Sequence, residues 1–137
     1  MSDVVSSRAT EPVGAYPHAK RAGNLLFLSG VGPRQRGSKE IPGVTLGPDG
    51  RLVAKDIEAQ CRSCFDNVKA ILEDAGVPWQ NLVDVTVYLT DMRNDFPTYN
   101  RVYAEYFGET RPCRTTVEVG ALPTPIAVEL KCIAVFD

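Results

Sequence analysis

The residues best suited to chemistry are charged side chains within strand patterns near the end of the sequence: Arg114, Glu118 and Glu129. A strand with apolar neighbours resists charge unless the charge is paired or used. An arginine held on a rigid strand suits a carboxylate ligand, because its planar fork donates two parallel hydrogen bonds. A nearby carboxylate can accept a proton from water or orient it. These residues predict a reaction on a small carboxylic acid in which water attacks a polarised carbon. The alternative is a structural Arg–Glu pair on the sheet surface.

The strand pattern indicates how these side chains are positioned. Alternation with a period of two places Arg114, Thr116 and Glu118 on one face of a strand over 114–119. A turn rich in Gly and Pro leads to a long apolar strand over 127–136. If that turn returns the chain antiparallel, Glu129 lies near the row that contains Arg114.

The clearest helix is predicted from Asp56 to Ala75, where apolar residues recur at steps of three and four. Asp56 is its predicted N-cap, and Gly76 is its predicted end because glycine tolerates the left-handed conformation. The helix contains the C-x-x-C pair Cys61 and Cys64. Such a pair can be redox-active or form half of a zinc site. Its place inside a helical pattern favours structural thiols, and we predict no metal site.

A second helix is predicted over 96–107, after an alternating strand over 82–90, with Asp95 as its N-cap. The strand is expected to direct the following side chains to one face: Val83, Val85, Val87 and Leu89. The helix carries a stripe that we interpret as core packing, formed by Tyr99, Val102, Tyr103, Tyr106 and Phe107.

The order of elements is strand, strand, helix, strand, helix, strand, strand. This order predicts an α+β fold in which both helices pack on one face of a mixed sheet. A chain of 137 residues corresponds to one domain. We assign that domain to residues 14–137 and predict a flexible N-terminal arm over residues 1–13.

Composition narrows the class of function. A net charge of −2 without a basic run argues against general binding to nucleic acid or membranes. The first ten residues are polar, so we expect a cytoplasmic protein whose four cysteines are reduced. The single histidine, His18, limits any Ser–His or Cys–His scheme, and there is no phosphate loop or dinucleotide motif. We therefore predict chemistry without a cofactor.

Two C-terminal motifs resemble those of the YjgF/RidA family. Arg114–Pro123 (RTTVEVGALP) is similar to R-x-x-V-x-V-x-x-L-P, and Val128–Ala134 (VELKCIA) is similar to V/I-E-hydrophobic-x-x-I-A. The resemblance covers residues 14–135. It implies a chorismate-mutase-like α+β fold, assembled as a homotrimer around a barrel-like centre. It also implies clefts between subunits that bind small molecules bearing a carboxylate.

The resemblance also implies a deaminase that hydrolyses enamines or imines. Arg114 would hold the substrate carboxylate, and Glu129 would orient or activate water. The family's substrate-binding tyrosine, serine and asparagine correspond to Tyr16, Ser29 and Asn100.

Two further candidate substrate-binding residues are a departure from the family pattern and a neighbour of Tyr16. Thr116 stands where the family usually has a cysteine, and His18 follows the Tyr16–Pro17 pair. His18 is either a residue lining the cleft or an exposed loop histidine. A non-enzymatic ligand-binding module, a role that the family fold also serves, remains an alternative.

The loop sequence GPRQRGSKE over 32–40 resembles the 2-aminomuconate deaminase branch of the family. That likeness implies hydrolysis of 2-aminomuconate to 4-oxalocrotonate (2-hydroxymuconate) and ammonia in aromatic catabolism. Arg34 would then bind the second carboxylate through a charged hydrogen bond of about 1.5–3 kcal/mol. The alternatives are solvated loop charges and a general deaminase of 2-iminobutanoate and 2-iminopropanoate.

Overall fold

The computed structural model describes residues 1–137 and contains eight strands and two α-helices. The strands are β1 Ser2–Val4, β2 Ala19–Ala22, β3 Leu25–Leu28, β4 Val44–Leu46, β5 Leu52–Lys55, β6 Leu82–Leu89, β7 Cys113–Glu118 and β8 Val128–Val135. The helices are α1 Ile57–Ala75 and α2 Met92–Phe107, and a 3-10 turn spans Trp79–Asn81. The two predicted helices and the five predicted strands are present, the strands as β3, β5, β6, β7 and β8, whereas β1, β2 and β4 were not predicted.

Six strands form one mixed sheet in the order β1-β2-β3-β8-β6-β7, and β4 pairs with β5 in a separate hairpin. Only β6 and β7 run parallel. Both helices cover one face of the large sheet, where a single core includes Phe65 of α1, Phe107 of α2 and Leu130 of β8. The predicted α+β fold is confirmed.

Helix α1 has the predicted ends. The Asp56 carboxylate accepts a hydrogen bond from the Ala59 backbone N–H at 3.1 Å, so it satisfies a free donor of the first turn. Gly76 has φ 75°, in the left-handed region that glycine enters without steric cost. These caps fix where α1 begins and ends.

The predicted N-cap of α2 is wrong. The helix begins one turn earlier, at Met92, because Asp91 accepts from the Asn94 backbone N–H at 3.3 Å. Asp95 lies inside the helix with 3% of its surface exposed, and its carboxylate is 2.7 Å from Lys55 Nζ. Both aspartates can cap a helix, and the sequence does not show that one of them has a distant lysine partner.

Strand β6 begins with a register shift between Leu82 and Asp84. Leu82 is buried, whereas Val83 is 40% exposed, so the expected inward orientation of Val83 is wrong. A bulge adds one residue and turns the preceding side chains to the other face. Beyond the bulge the predicted alternation holds, with Val85 and Leu89 buried.

The N-terminal residues pack against the domain instead of forming the free arm expected over 1–13. β1 pairs antiparallel with β2. Ser6 is fully buried and donates to Asp74 Oδ2 at 2.6 Å, and Arg8 is bonded to the same carboxylate at 2.8 Å. Polar residues therefore anchor this segment through hydrogen bonds to α1, a role that its composition did not reveal.

Neither α-helix combines the length and the apolar character that crossing a membrane would require.

Candidate active site

Arg114 lies on the edge strand β7, opposite Val85 of β6, and its side chain points to the face covered by the helices. Its Nη1 donates to Asn100 Oδ1 at 2.8 Å. Its Cζ lies over the ring of Tyr103, 4.8 Å from the centroid. The residue is exposed and forms no ion pair within the chain, so this cation is available to an anion from outside.

The other residues on this row of β7 follow the predicted alternation. Thr116 Oγ1 is 2.8 Å from the hydroxyl of Tyr99, which fixes that ring beside Arg114. Glu118 Oε1 accepts from the Met92 backbone N–H at 2.9 Å. A carboxylate at a helix N-terminus accepts a hydrogen bond from a free N–H group, and its negative charge interacts favourably with the helix macrodipole. Glu118 therefore stabilises the start of α2.

Glu129 does not lie in the row of Arg114, and that prediction is wrong. Strand β6 separates β7 from β8, so the two strands that follow each other in the sequence are not neighbours. Glu129 pairs with Tyr88, whereas Arg114 pairs with Val85. An offset of three residues puts the two side chains on opposite faces of the sheet. The same geometry excludes a structural pair of Arg114 with Glu129 within the chain, and the Glu118 carboxylate accepts from the Met92 N–H instead.

The carboxyl group of Glu129 is half-buried. Burial raises the pKa of Glu129, and no hydrogen bond or neighbouring charge counteracts that shift. Gly30 gives the group room, because a Cβ at that position would lie 2.7 Å from Glu129 Oε2. A carboxyl with a raised pKa and free oxygens is suited to proton transfer.

A cavity of about 150 Å³ opens beside Glu129. It brings together five of the predicted site residues: Tyr16, His18, Ser29, Arg34 and Glu129. The remaining three predicted residues, Arg114, Asn100 and Thr116, form the separate group on β7 and α2 described above. Within one chain the candidate site therefore consists of two parts.

Hydrogen bonds fix the near wall of the cavity. Ser29 Oγ donates to the Pro17 carbonyl at 2.7 Å, and the Tyr16 hydroxyl accepts from the Val13 N–H at 3.1 Å. His18 is buried, which rules out the exposed loop histidine. Its Nδ1 accepts from the Ser6 N–H at 3.0 Å, so its Nε2 donates to the Thr10 carbonyl at 2.7 Å.

The basic loop holds the N-terminal segment in place. Arg36 donates to the carbonyls of Ala9 and Ser6 at 2.9 and 2.8 Å. Arg34 donates to the carbonyl of Glu11 and also lines the cavity. These two arginines are therefore not purely solvated loop charges, the alternative considered above, because they also bind backbone carbonyls.

The C-x-x-C pair lies in the core. Cys61 and Cys64 are buried on α1, and burial raises the pKa of Cys61 to about 12. A thiol that resists ionisation is a poor nucleophile and metal ligand. The structural interpretation of these thiols therefore fits their environment.

Three residues of the candidate site were not identified from the sequence. The stripe on α2 predicts core packing for Tyr99 and Tyr103, although their rings also lie beside Arg114, and no sequence feature links Gly30 to Glu129. The four-residue spacing of the tyrosines on α2 was the available signal, because it places both rings on one helix face.

The chain is a small α+β domain with a mixed sheet and two helices on one face. It has an arginine without an ionic partner on the edge strand and a half-buried carboxyl beside a cavity. The solved structure of E. coli TdcF with bound serine shares this fold, with a TM-score of 0.84, 33% identity and 98% of each chain covered.

Proteins of similar sequence indicate the family to which the chain belongs. A RutC family protein of Pyrococcus horikoshii is 43% identical over 136 residues, which is 98% of this chain and 98% of that protein. Reactive Intermediate Deaminase A of Arabidopsis thaliana, a chloroplastic protein, is 36% identical over 134 residues, 96% of this chain and 65% of that protein. The family model described as Endoribonuclease L-PSP matches residues 6–136. The chain belongs to this family, the YjgF/RidA family.

Proposed function

We propose that the protein is a cofactor-independent deaminase that hydrolyses 2-imino acids and their enamine tautomers to 2-oxo acids and ammonia. One observation carries the proposal: Arg114 and Glu129 are opposite charges, and neither has an ionic partner within the chain. For the half-buried Glu129 the lack of a partner is unfavourable, whereas the exposed Arg114 keeps its donors free for an anion. The relative named Reactive Intermediate Deaminase A supports the class of reaction.

A complete site requires more than one copy of the chain, and we assign it to the interface of a homotrimer. Glu129 shares its sheet face with Phe27 and Val117, because Phe27 pairs with Ile133 and Val117 with Tyr88. Phe27 and Val117 are each 36% exposed. Exposed apolar side chains on a sheet face are suited to burial against another copy. Such packing would bring Arg114 of one copy towards Glu129 of a second.

The proposed reaction begins when Arg114 donates hydrogen bonds to the substrate carboxylate. Ionised Glu129 takes a proton from water while the water oxygen bonds to C2 and the C=N π electrons move to nitrogen. Glu129 then gives that proton to the nitrogen, which leaves a carbinolamine. A second proton passes from the hydroxyl to the nitrogen, the C–N bond breaks, and the 2-oxo acid and ammonia leave.

The more specific candidate substrate is 2-aminomuconate. The position of Arg34 in the same cavity as Glu129 favours it, because a second carboxylate would find a cation there. One donor of this guanidinium, however, already binds the Glu11 carbonyl. We therefore assign the broader class of 2-imino acids first and 2-aminomuconate second.

The test is ammonia release from freshly generated 2-iminopropanoate, 2-iminobutanoate and 2-aminomuconate. Arg114→Ala should lower kcat/KM about 10- to 150-fold, the equivalent of a lost charged hydrogen bond. Arg93→Ala, which removes an exposed arginine of α2, is the matched control. Turnover of all three substrates that is unchanged in Arg114→Ala would refute the proposed site.

The substrate series separates the alternatives. A preference for 2-aminomuconate that Arg34→Gln abolishes would establish the more specific substrate. Inactivity on all three would favour a ligand-binding module. Incubation with single-stranded RNA tests the activity named in the family description, and RNA cleavage without ammonia release would contradict the deaminase.

A further inference from the structure

Arg114 would need to hold its guanidinium in one orientation at an exposed strand edge in order to bind a carboxylate. We propose that Tyr103, supported by Tyr99, is a positioning residue whose ring face sets that orientation by a cation–π contact. The inference rests on the proposed function and deepens it, because it assigns substrate affinity to a helix residue that does not touch the substrate.

The geometry brings three rings of α2 to the guanidinium. Arg114 Cζ is 4.8 Å from the ring centroid of Tyr103, 5.4 Å from that of Tyr99 and 6.0 Å from that of Phe96. All three distances lie within the range in which the negative ring face attracts a cation. The contact with Tyr103 is the shortest, so this ring is expected to contribute most to the orientation of the guanidinium.

Tyr103 is itself held firmly. Its ring stacks on Phe107, with centroids 4.1 Å apart and planes inclined by 16°, and it meets Phe65 edge to face at 6.0 Å. Only 8% of its surface is exposed. A ring fixed by the core can transmit a defined position to a flexible arginine side chain.

The contact with the aromatic rings leaves N–H donors of Arg114 free to bind a carboxylate. Its only hydrogen bond within the chain goes to the neutral amide of Asn100. A carboxylate partner would occupy the planar fork, whereas a ring contacts the face of the guanidinium and leaves N–H donors at its edge. Fixing the side chain beforehand lowers the entropy that substrate binding would otherwise lose.

The tyrosine hydroxyls distinguish the two rings. The Tyr99 hydroxyl is 2.8 Å from Thr116 Oγ1, whereas the buried Tyr103 hydroxyl has no hydrogen-bond partner. The contribution of Tyr103 is therefore assigned to its ring and not to its hydroxyl. This distinction makes the inference testable with nearly isosteric variants.

The experiment uses the full-length protein with phenylalanine at position 103, and with phenylalanine carrying one, two or three ring fluorines there. Fluorine withdraws electron density from the ring face while the shape stays nearly constant. We expect KM for 2-iminopropanoate to rise stepwise with each fluorine, by about threefold to thirtyfold overall, with little change in kcat. Tyr103→Leu should raise KM similarly, and Tyr103→Phe should restore the affinity lost in Tyr103→Leu.

The control is the same fluorinated series at Tyr106, whose ring also meets Phe65 but whose hydroxyl donates to Asp66 away from Arg114. A KM that stays flat across the series at position 103, or rises equally at position 106, overturns the inference. Because fluorination leaves the fold intact, poor folding of Tyr103→Leu does not affect the test. Activity that survives Arg114→Ala overturns the proposed function instead.

Discussion

Arg114 and Glu129 differ in the exposure of their charged groups to solvent and in the groups that surround them. The guanidinium of Arg114 is exposed on an edge strand and rests on aromatic rings. The carboxyl of Glu129 is half-buried, and burial raises its pKa. An exposed, permanent cation is suited to binding an anion, whereas a carboxyl with a raised pKa is suited to exchanging protons. In the proposed reaction, Arg114 is therefore the binding group and Glu129 the group that transfers protons.

The largest effect should come from Glu129→Gln. The amide keeps the shape of the side chain but cannot accept the proton of water, so kcat should fall about 10²- to 10⁴-fold. KM should change little, in contrast to Tyr103→Leu. Steady-state ammonia release measures both parameters, with the exposed Glu109→Gln as control. A kcat within threefold of the wild type would assign the chemistry to another group.

The wall of the Glu129 cavity should depend on Arg36. Arg36→Gln removes two charged hydrogen bonds to the carbonyls of Ser6 and Ala9. The free energy of unfolding should fall by about 1.5–3 kcal/mol, measured by urea denaturation. Lys39→Gln alters a charge of the same loop and should leave stability nearly unchanged. Equal stability of the two variants would show that Arg36 does not anchor the segment.

Space beside Glu129 is tested by Gly30→Ala. The new Cβ would lie 2.7 Å from Oε2 and would displace the carboxyl, so we expect kcat to fall about tenfold. Gly120→Ala is the matched control, since a Cβ there meets nothing within 4 Å. If both alanine variants behave alike, the fit between Gly30 and Glu129 has no catalytic consequence.

The smallest effect is the pH dependence of stability due to Glu129. The pKa of Glu129 is higher in the folded state than in the unfolded state. As the pH rises from the unfolded-state pKa to the folded-state pKa, ionisation therefore lowers the free energy of unfolding of the wild type. Relative to the wild type, Glu129→Gln should therefore gain stability above the folded pKa and gain none below the unfolded pKa. Urea denaturation at several pH values gives this difference. A gain that is constant with pH would contradict the raised pKa.

Local features of the fold could be predicted from the sequence. Asp56 and Gly76 act on their own helix ends, and the common face of Arg114 and Thr116 follows from the period of a strand. Pairing between distant strands could not be predicted in this way. The insertion of β6 between β7 and β8 leaves no local trace, so the position of Glu129 relative to Arg114 was assigned wrongly.

The candidate site shows the same limit. Tyr16, Ser29 and Glu129 were predicted together and line one cavity. The aromatic support of Arg114 was missed, because an amphipathic stripe looks the same whether its rings face only the core or also contact a cation. The sequence also could not show that Arg34 and Arg36 donate to backbone carbonyls, because these acceptors lie more than twenty residues away.

One wall of the Glu129 cavity is formed by residues 10–13, which belong to no strand or helix. His18 and Arg34 bind this segment through the backbone carbonyls of Thr10 and Glu11, contacts that do not involve the side chains of the segment. Mutations there can reshape the pocket while the reacting groups stay in place. Libraries randomised over these four positions are therefore a direct route to altered substrate range, and divergence among homologues should concentrate there.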